Sequence, residues 1–218
     1  MTRPEIEEFH RDVQVLPGVA ASAVYRLNAG GPGMQAFAQR LQRLEHGAEL
    51  GAATWVALTE FGSLDEALDA EAKIRGFPAE SEDGRLRHHT RALYTTITDV
   101  PGNSRRDDLG FAPAVQFGTF DMDSVDAEWM LSDWYQHNRI PRFLGMPSGI
   151  RFRRFVSISG PAKYAVLYEF PSLDARMNEF EVPVEAHELD ASSPSQPVLS
   201  RTVHLSASPG IGSLEFSV

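Results

Sequence analysis

The side chains able to do chemistry gather in the second half of the chain, on one presumptive helix and two presumptive strands. In Asp133-Trp-Tyr-Gln-His-Asn-Arg-Ile-Pro141, the spacing puts Met130, Trp134 and His137 on one helical stripe, with Asp133 one turn before His137. An imidazole near a helix C-terminus, beside a carboxylate, is suited to taking and giving a proton near neutral pH. The alternative is a histidine that only caps carbonyls. In the run Ile150–Ser159, strand alternation sets Ile150, Phe152, Arg154, Val156 and Ile158 on one face and Arg151, Arg153, Phe155 and Ser157 on the other. Arg154 thus intrudes on an apolar face, where its guanidinium can either grip a carboxylate or enolate oxygen in two-pronged fashion or pair with an acid such as Glu169. Tyr164, Val166, Tyr168 and Phe170 share one side of the next strand, and such phenols suit an apolar ligand with a polar handle or serve equally as inter-sheet core.

The roles that follow are His137 as proton shuttle, Arg154 and Tyr168 as anion or carbonyl anchors, and Trp134, Tyr135, Phe152 and Tyr164 as walls. His204 shares a face with Thr202 and Ser206, a polar side that points either inward or to solvent. Other candidates are weaker. Adjacent residues of a strand point to opposite faces, so His88-His89 cannot chelate one ion together and is read as surface. Gly30-Gly-Pro-Gly33 lies between a strand and a helix, but no Lys-Ser/Thr follows and Pro32 has no N–H, so it reads as the start of an insertion rather than a phosphate loop. There is no His-x-x-Glu-His, Gly-x-Ser-x-Gly or spaced acidic trio, so no metal site is assigned. Cysteine is absent, which removes disulfides, thiolate nucleophiles and Cys-ligated metals.

The elements that position these groups come from an internal repeat. Trp55-Val-Ala-Leu-Thr-Glu-Phe-Gly-Ser-Leu-Asp65 aligns without gaps on Tyr164-Ala-Val-Leu-Tyr-Glu-Phe-Pro-Ser-Leu-Asp174, Arg91–Thr96 aligns on Arg201–Ser206, and Leu16–Val19 resembles Met146–Ile150. In the second half a strand at about 113–121, a helix from Asp123 or Ser124 to Arg139 ended by Pro141, strands at about 150–159 and 164–170, a short helix from Ser172 and a strand at about 197–207 give the order β-α-β-β-α-β. The expected fold is therefore α+β, with two fused ferredoxin-like halves, residues 1–110 and 111–218, whose open sheet faces meet as a pseudo-dimeric α/β barrel. The first half carries a helical insertion near 30–50 (Met34, Phe37, Ala38, Leu41, Leu44) and lacks an opening strand, a gap that the tail Gly212–Val218 is expected to fill.

The motifs at Asp133–Pro141, Met146-Pro-Ser-Gly-Ile-Arg-Phe-Arg-Arg-Phe155 and Tyr164-Ala-Val-Leu-Tyr-Glu-Phe170 resemble the EthD-like and stress-responsive branches of the dimeric α/β-barrel superfamily. The resemblance covers about 115–207 and is weak before that, where Phe9-His10-Arg11 stands in place of a Trp-Tyr…His helix end. It implies the barrel fold and, for function, a wide choice: monooxygenases, lyases, isomerases, decarboxylases, haem enzymes and proteins without turnover share it. The expectation is a cofactor-independent lyase, isomerase or monooxygenase acting on a small, largely apolar or aromatic metabolite in the barrel cavity. A ligand-binding or stress-related protein is the alternative, and a haem protein with an axial histidine the third.

Bulk properties narrow the partners. With 42% apolar residues and thirteen Phe the chain can bury a real core. A net charge of −10, with Arg151, Arg153 and Arg154 as the one basic cluster, argues against nucleic acid. No stretch nears the ~18 apolar residues of a membrane span, and Met1–Glu8 lacks the apolar segment of a signal peptide, so a cytoplasmic location is expected. Pairing with a second copy as a homodimer stays open.

Overall fold

A computed structural model describes residues 3–28, 30–44, 54–74, 90–107, 110–188, 190 and 192–217. His88-His89 lies outside them. The elements run α1 (Arg3–Gln14), β1 (Val19–Asn28), α2 (Pro32–Ala38), β2 (Gln42–Arg43), β3 (Trp55–Phe61), α3 (Leu64–Ile74), β4 (Leu93–Pro101), β5 (Ala114–Met122) and α4 (Val125–Trp134). They continue through a π-helical turn (Tyr135–Arg139), α5 (Ile140–Leu144), β6 (Arg151–Ser159), β7 (Tyr164–Phe170), α6 (Leu173–Arg176), a second π-helical stretch (Met177–Glu185), α7 (Ala186–Glu188), α8 (Gln196–Leu199), β8 (Thr202–His204) and β9 (Gly210–Ser217).

Local chemistry accounts for several of these elements. Ser124 and Ser172 accept hydrogen bonds from Ala127 N and Ala175 N and so start α4 and α6, and Ser63 does the same for α3 through Glu66 N. The aligned segments at 55–65 and 164–174 thus both fold as a strand, a serine cap and a helix. Pro141 does not end the helix. It follows directly on the π-helical turn, whose wider hydrogen-bond step comes just before the proline, and the helix runs on to Leu144.

One antiparallel sheet organises the α+β fold, in the order β3-β1-β9-β5-β7-β6-β4, with β8 also on β5 and β2 parallel to β8. The strand expected at 197–207 is shorter and is split. Gln196–Leu199 is helical, and residues 202–204 and 210–213 pair in succession along β5 from Met122 back to Ala114. On its other edge β9 pairs with β1 from Ile211 to Ser217, while β4 pairs along the whole of β6. The tail therefore joins the sheet, but between β1 and β5 rather than in the position of an opening strand, and β3 keeps one edge unpaired among the described residues.

The sheet curls until Glu60 of β3 reaches Arg153 of β6, at 3.0 Å. Its concave side is filled by Ala23, Tyr25, Val115 and Leu167, with Phe155 and Leu214 packed against them. The expected hollow between the two halves is thus occupied by core. A larger cluster, containing Phe120, Leu131, Phe143, Phe152, Tyr168 and Phe180, lies on the opposite face between the sheet and the helices of the second half. No helix of the described residues is long and apolar enough to cross a membrane.

Candidate functional site

Most residues singled out in the sequence come together on that convex face, and not in the barrel interior. The geometry begins with α4, which brings Leu131 and Trp134 inward. The π-helical turn then closes with Ile140 N bonded to Tyr135 O, five residues back, and this seats Arg139 over the Trp134 ring at 4.9 Å. Trp134 Nε1 donates to Ser195 Oγ at 2.9 Å, so the indole is fixed. His137 faces outward. Its side chain is 72% exposed and bonds to the Oδ1 (3.0 Å) and backbone O of Asp133, so the expected Asp133–His137 pairing exists but belongs to the surface.

The second π-helical stretch and α7 supply acids that the sequence reading passed over. Arg176, Glu181, Glu185, Glu188 and Arg139 are all buried. Arg139 pairs with Glu188, and Arg176 pairs with Glu181 and, at 2.7 Å, with Glu185. Gln116 ties the network to β5: its Oε1 accepts from Arg176 Nε at 2.9 Å and its Nε2 donates to Glu185 Oε1 at 2.6 Å. Burial pushes the Glu185 carboxyl up, with Arg176 and Arg139 opposing the shift. Burial likewise raises Tyr168 and Tyr135. A usable sequence signal was the spacing of Glu181, Glu185 and Glu188 at i, i+4 and i+7, one acidic stripe beside Phe180 and Val184.

Between these helices and the sheet lies a cavity of about 50 Å³, lined among others by Trp134, Tyr135, Arg139, Tyr168, Glu185 and His204. Arg139 lies over the faces of Trp134, Tyr168 and Phe180, and its Nε and Nη1 are buried without an acceptor, while Glu188 Oε1 is buried without a hydrogen-bond donor. Unpaired donors on a buried cation are costly, and they are what an incoming oxygen anion would satisfy.

His204 is held on both ring nitrogens, Nδ1 by Ser208 Oγ at 3.0 Å and Nε2 by Thr202 Oγ1 at 3.2 Å. Thr202 donates its single proton to Leu199 O, so it must accept from Nε2–H, which leaves Nδ1 to accept from the Ser208 hydroxyl. Burial, helped by the nearby Arg43 guanidinium, pushes this imidazole down to about 3, and it is neutral.

Arg154 is buried and lies 4.1 Å over the Tyr135 ring, with burial lowering its pKa. It has no acid partner among the described residues. Glu169 is paired instead with Arg153, at 3.1 Å on the concave side, because strand alternation sends 153 and 169 inward together. Phe152 is core, 4.9 Å from Tyr168. Tyr164 is only partly buried, near Lys163 and Glu128, and lies apart from the cavity lining.

No group of three or more potential ligands among the described residues could hold a metal ion. Haem fits poorly, since both nitrogens of His204 are engaged and the space beside it is about 50 Å³.

No family model and no curated protein matches the chain. Among solved structures, an anthrone oxidase-like protein superposes with a TM-score of 0.51 at 8% identity, over 99% of this chain and 85% of its own. Chlorite dismutase from Candidatus Nitrospira defluvii gives 0.43 at 11% identity over 95% of each chain. A regulator of staphylococcal pathogenesis gives 0.38 at 14% identity, over 62% of this chain and 74% of that one. At such identity the first likeness speaks for the fold alone, a curled antiparallel sheet with helices packed on it.

Proposed function

We propose that this protein is a small-molecule enzyme whose site is the aromatic cavity on the convex face of the sheet, and that it moves a proton on an aromatic or enolisable substrate bearing an anionic oxygen. The observation that carries the reading is Arg139, buried and cationic, with two N–H groups lacking an acceptor at the wall of a cavity that also holds Glu185. In this reading Arg139 takes the substrate oxygen as it gains charge, which is worth most in a site that excludes water. Glu185, whose carboxyl is raised by burial, takes or gives the proton in place of His137. Trp134, Tyr135 and Tyr168 hold the ring, and Arg154 adds positive charge behind Tyr135. Lyase or isomerase chemistry needs no more than these roles, and the monooxygenase alternative shares the same first deprotonation. The anthrone oxidase-like neighbour supports the fold alone and not the reaction. A tandem duplication is part of the proposal, supported by aligned segments that form matching elements and by the reciprocal pairing of β9 with β1 and β4 with β6.

Native mass spectrometry of the purified protein should reveal an aromatic or enolisable co-purified molecule. Glu185→Gln, which keeps the shape and one acceptor for Arg176, should lower its turnover at least ~100-fold while retaining binding. Turnover equal to wild type would sink the proton-transfer role. The second reading, a binding protein without turnover, is favoured by the small volume of the cavity, and binding without any product would establish it.

A further inference from the structure

The cavity is too small for the ligand that its lining suits, so something on its boundary must move. The insertion between β1 and β3 supplies that boundary. Phe37 of α2 lines the cavity and stands edge-on to His204, with ring centroids 6.2 Å apart. The segment is held by polar clasps at its two ends. At one end Gly31 N and Met34 N donate to the two oxygens of Glu181, at 3.2 and 3.0 Å. At the other, Arg43 donates to the carbonyls of Leu205, at 2.8 Å, and Ser208, and Leu44 N donates to His204 O at 2.9 Å.

The glycines of Gly30-Gly-Pro-Gly33, which suit no phosphate, have a use here. Gly30 has a φ of +68°. A Cβ on Gly31 would lie 2.5 Å from Glu181 Oε1 and 2.6 Å from Met177 Sδ, so only glycine lets this backbone close on the carboxylate. The anion in the loop is the chain's own Glu181, and that carboxylate is shared with Arg176 of the buried network.

We propose that α2 is a gate on the cavity, latched by Glu181, and that Phe37 is the plug whose size sets the largest aromatic ligand admitted. This rests on the reading of the cavity as a ligand site. A ligand that draws Arg176 or Glu185 toward itself loosens the hold on Glu181, so occupancy and gate position are linked.

Two variants test the proposal. Gly31→Ala pushes the latch apart without altering the buried charges. Hydrogen exchange read by mass spectrometry should show amides 31–38 exchanging at least ~10-fold faster than in wild type, with β5 and β7 unchanged. Exchange of 31–38 that rises only in step with β5 and β7 would overturn the gate. Phe37→Ala should raise the affinity for 2-naphthol relative to phenol at least ~10-fold, measured by calorimetry, because one ring's volume has been vacated. An unchanged ratio would overturn the role of Phe37. Absence of binding by both phenols to both proteins would refute the site itself and Phe37's role in it, whereas the exchange measurement judges the gate without any ligand.

Discussion

His204 should make this protein labile to mild acid, and the size of the effect follows from its surroundings. The imidazole is 6% exposed and neutral, with its folded pKa near 3 against 6.5 in the unfolded chain. A base whose folded pKa is depressed adds stability that is present above the unfolded value and is lost as the pH falls toward the folded one. Between pH 7 and 4.5 the unfolded chain takes up almost a full proton that the native state refuses, which amounts to about 2.5 kcal/mol. Other groups titrate in the same range. Glu169 and Glu185, raised by burial, contribute in the opposite sense, with stability greatest at low pH and lost as pH rises through their folded values. They are common to wild type and to His204→Gln, so the difference between the two proteins isolates the histidine. Urea unfolding at pH 7 and 4.5 should show the advantage of wild type over His204→Gln shrinking by about 2.5 kcal/mol. An advantage that stays constant to within about 0.5 kcal/mol would mean that His204 is protonated in the native state, and the Nε2–H tautomer argued from Thr202 and Ser208 would be wrong.

Two further consequences concern the curled sheet. Arg153→Met leaves Glu169, which is 0% exposed, without its cation, and should cost about 3–5 kcal/mol in urea unfolding. Because loss of the cation raises the Glu169 pKa further, the penalty should be larger at pH 8 than at pH 5, and equal losses at the two pH values would contradict the pairing. Deleting residues 211–218 removes the strand that joins β1 to β5 and should abolish cooperative unfolding as followed by circular dichroism, whereas an unchanged melting temperature would show that β9 is dispensable.

What could be read from the sequence was local, and what could not depended on partners far along the chain. Alternation in Tyr164–Phe170 and the Ser172 cap fix β7 and α6 because each needs only neighbouring residues. The division of residues 151–159 between two faces was also correct, since Arg153 and Arg154 do point oppositely. Alternation is silent on which face meets helices and which meets the other half, and that choice moved the aromatic stripe from an imagined hollow to the convex side. The path of β9 and the pairing of β4 with β6 are long-range, and no local pattern encodes them.

The outward placement of His137 goes with an irregularity in its helix. With 3.6 residues per turn, a helix that buries Trp134 also turns residue 137 or 138 the same way. The π-helical turn at Tyr135–Arg139 spends one more residue on its cycle, so that Arg139 comes back over the indole of Trp134 while His137, within the turn, faces solvent. A helix serving only to cover the sheet gains nothing from burying an arginine with two unpaired donors, and an uninterrupted α-helix would have placed it elsewhere. The second π-helical stretch ends on the buried Glu185, and Arg139 and Glu185 both line the cavity. Two departures from regular helix geometry, each delivering a charged group to one small space lined by aromatic rings, are hard to account for as packing, and they are the reason for placing the chemistry there.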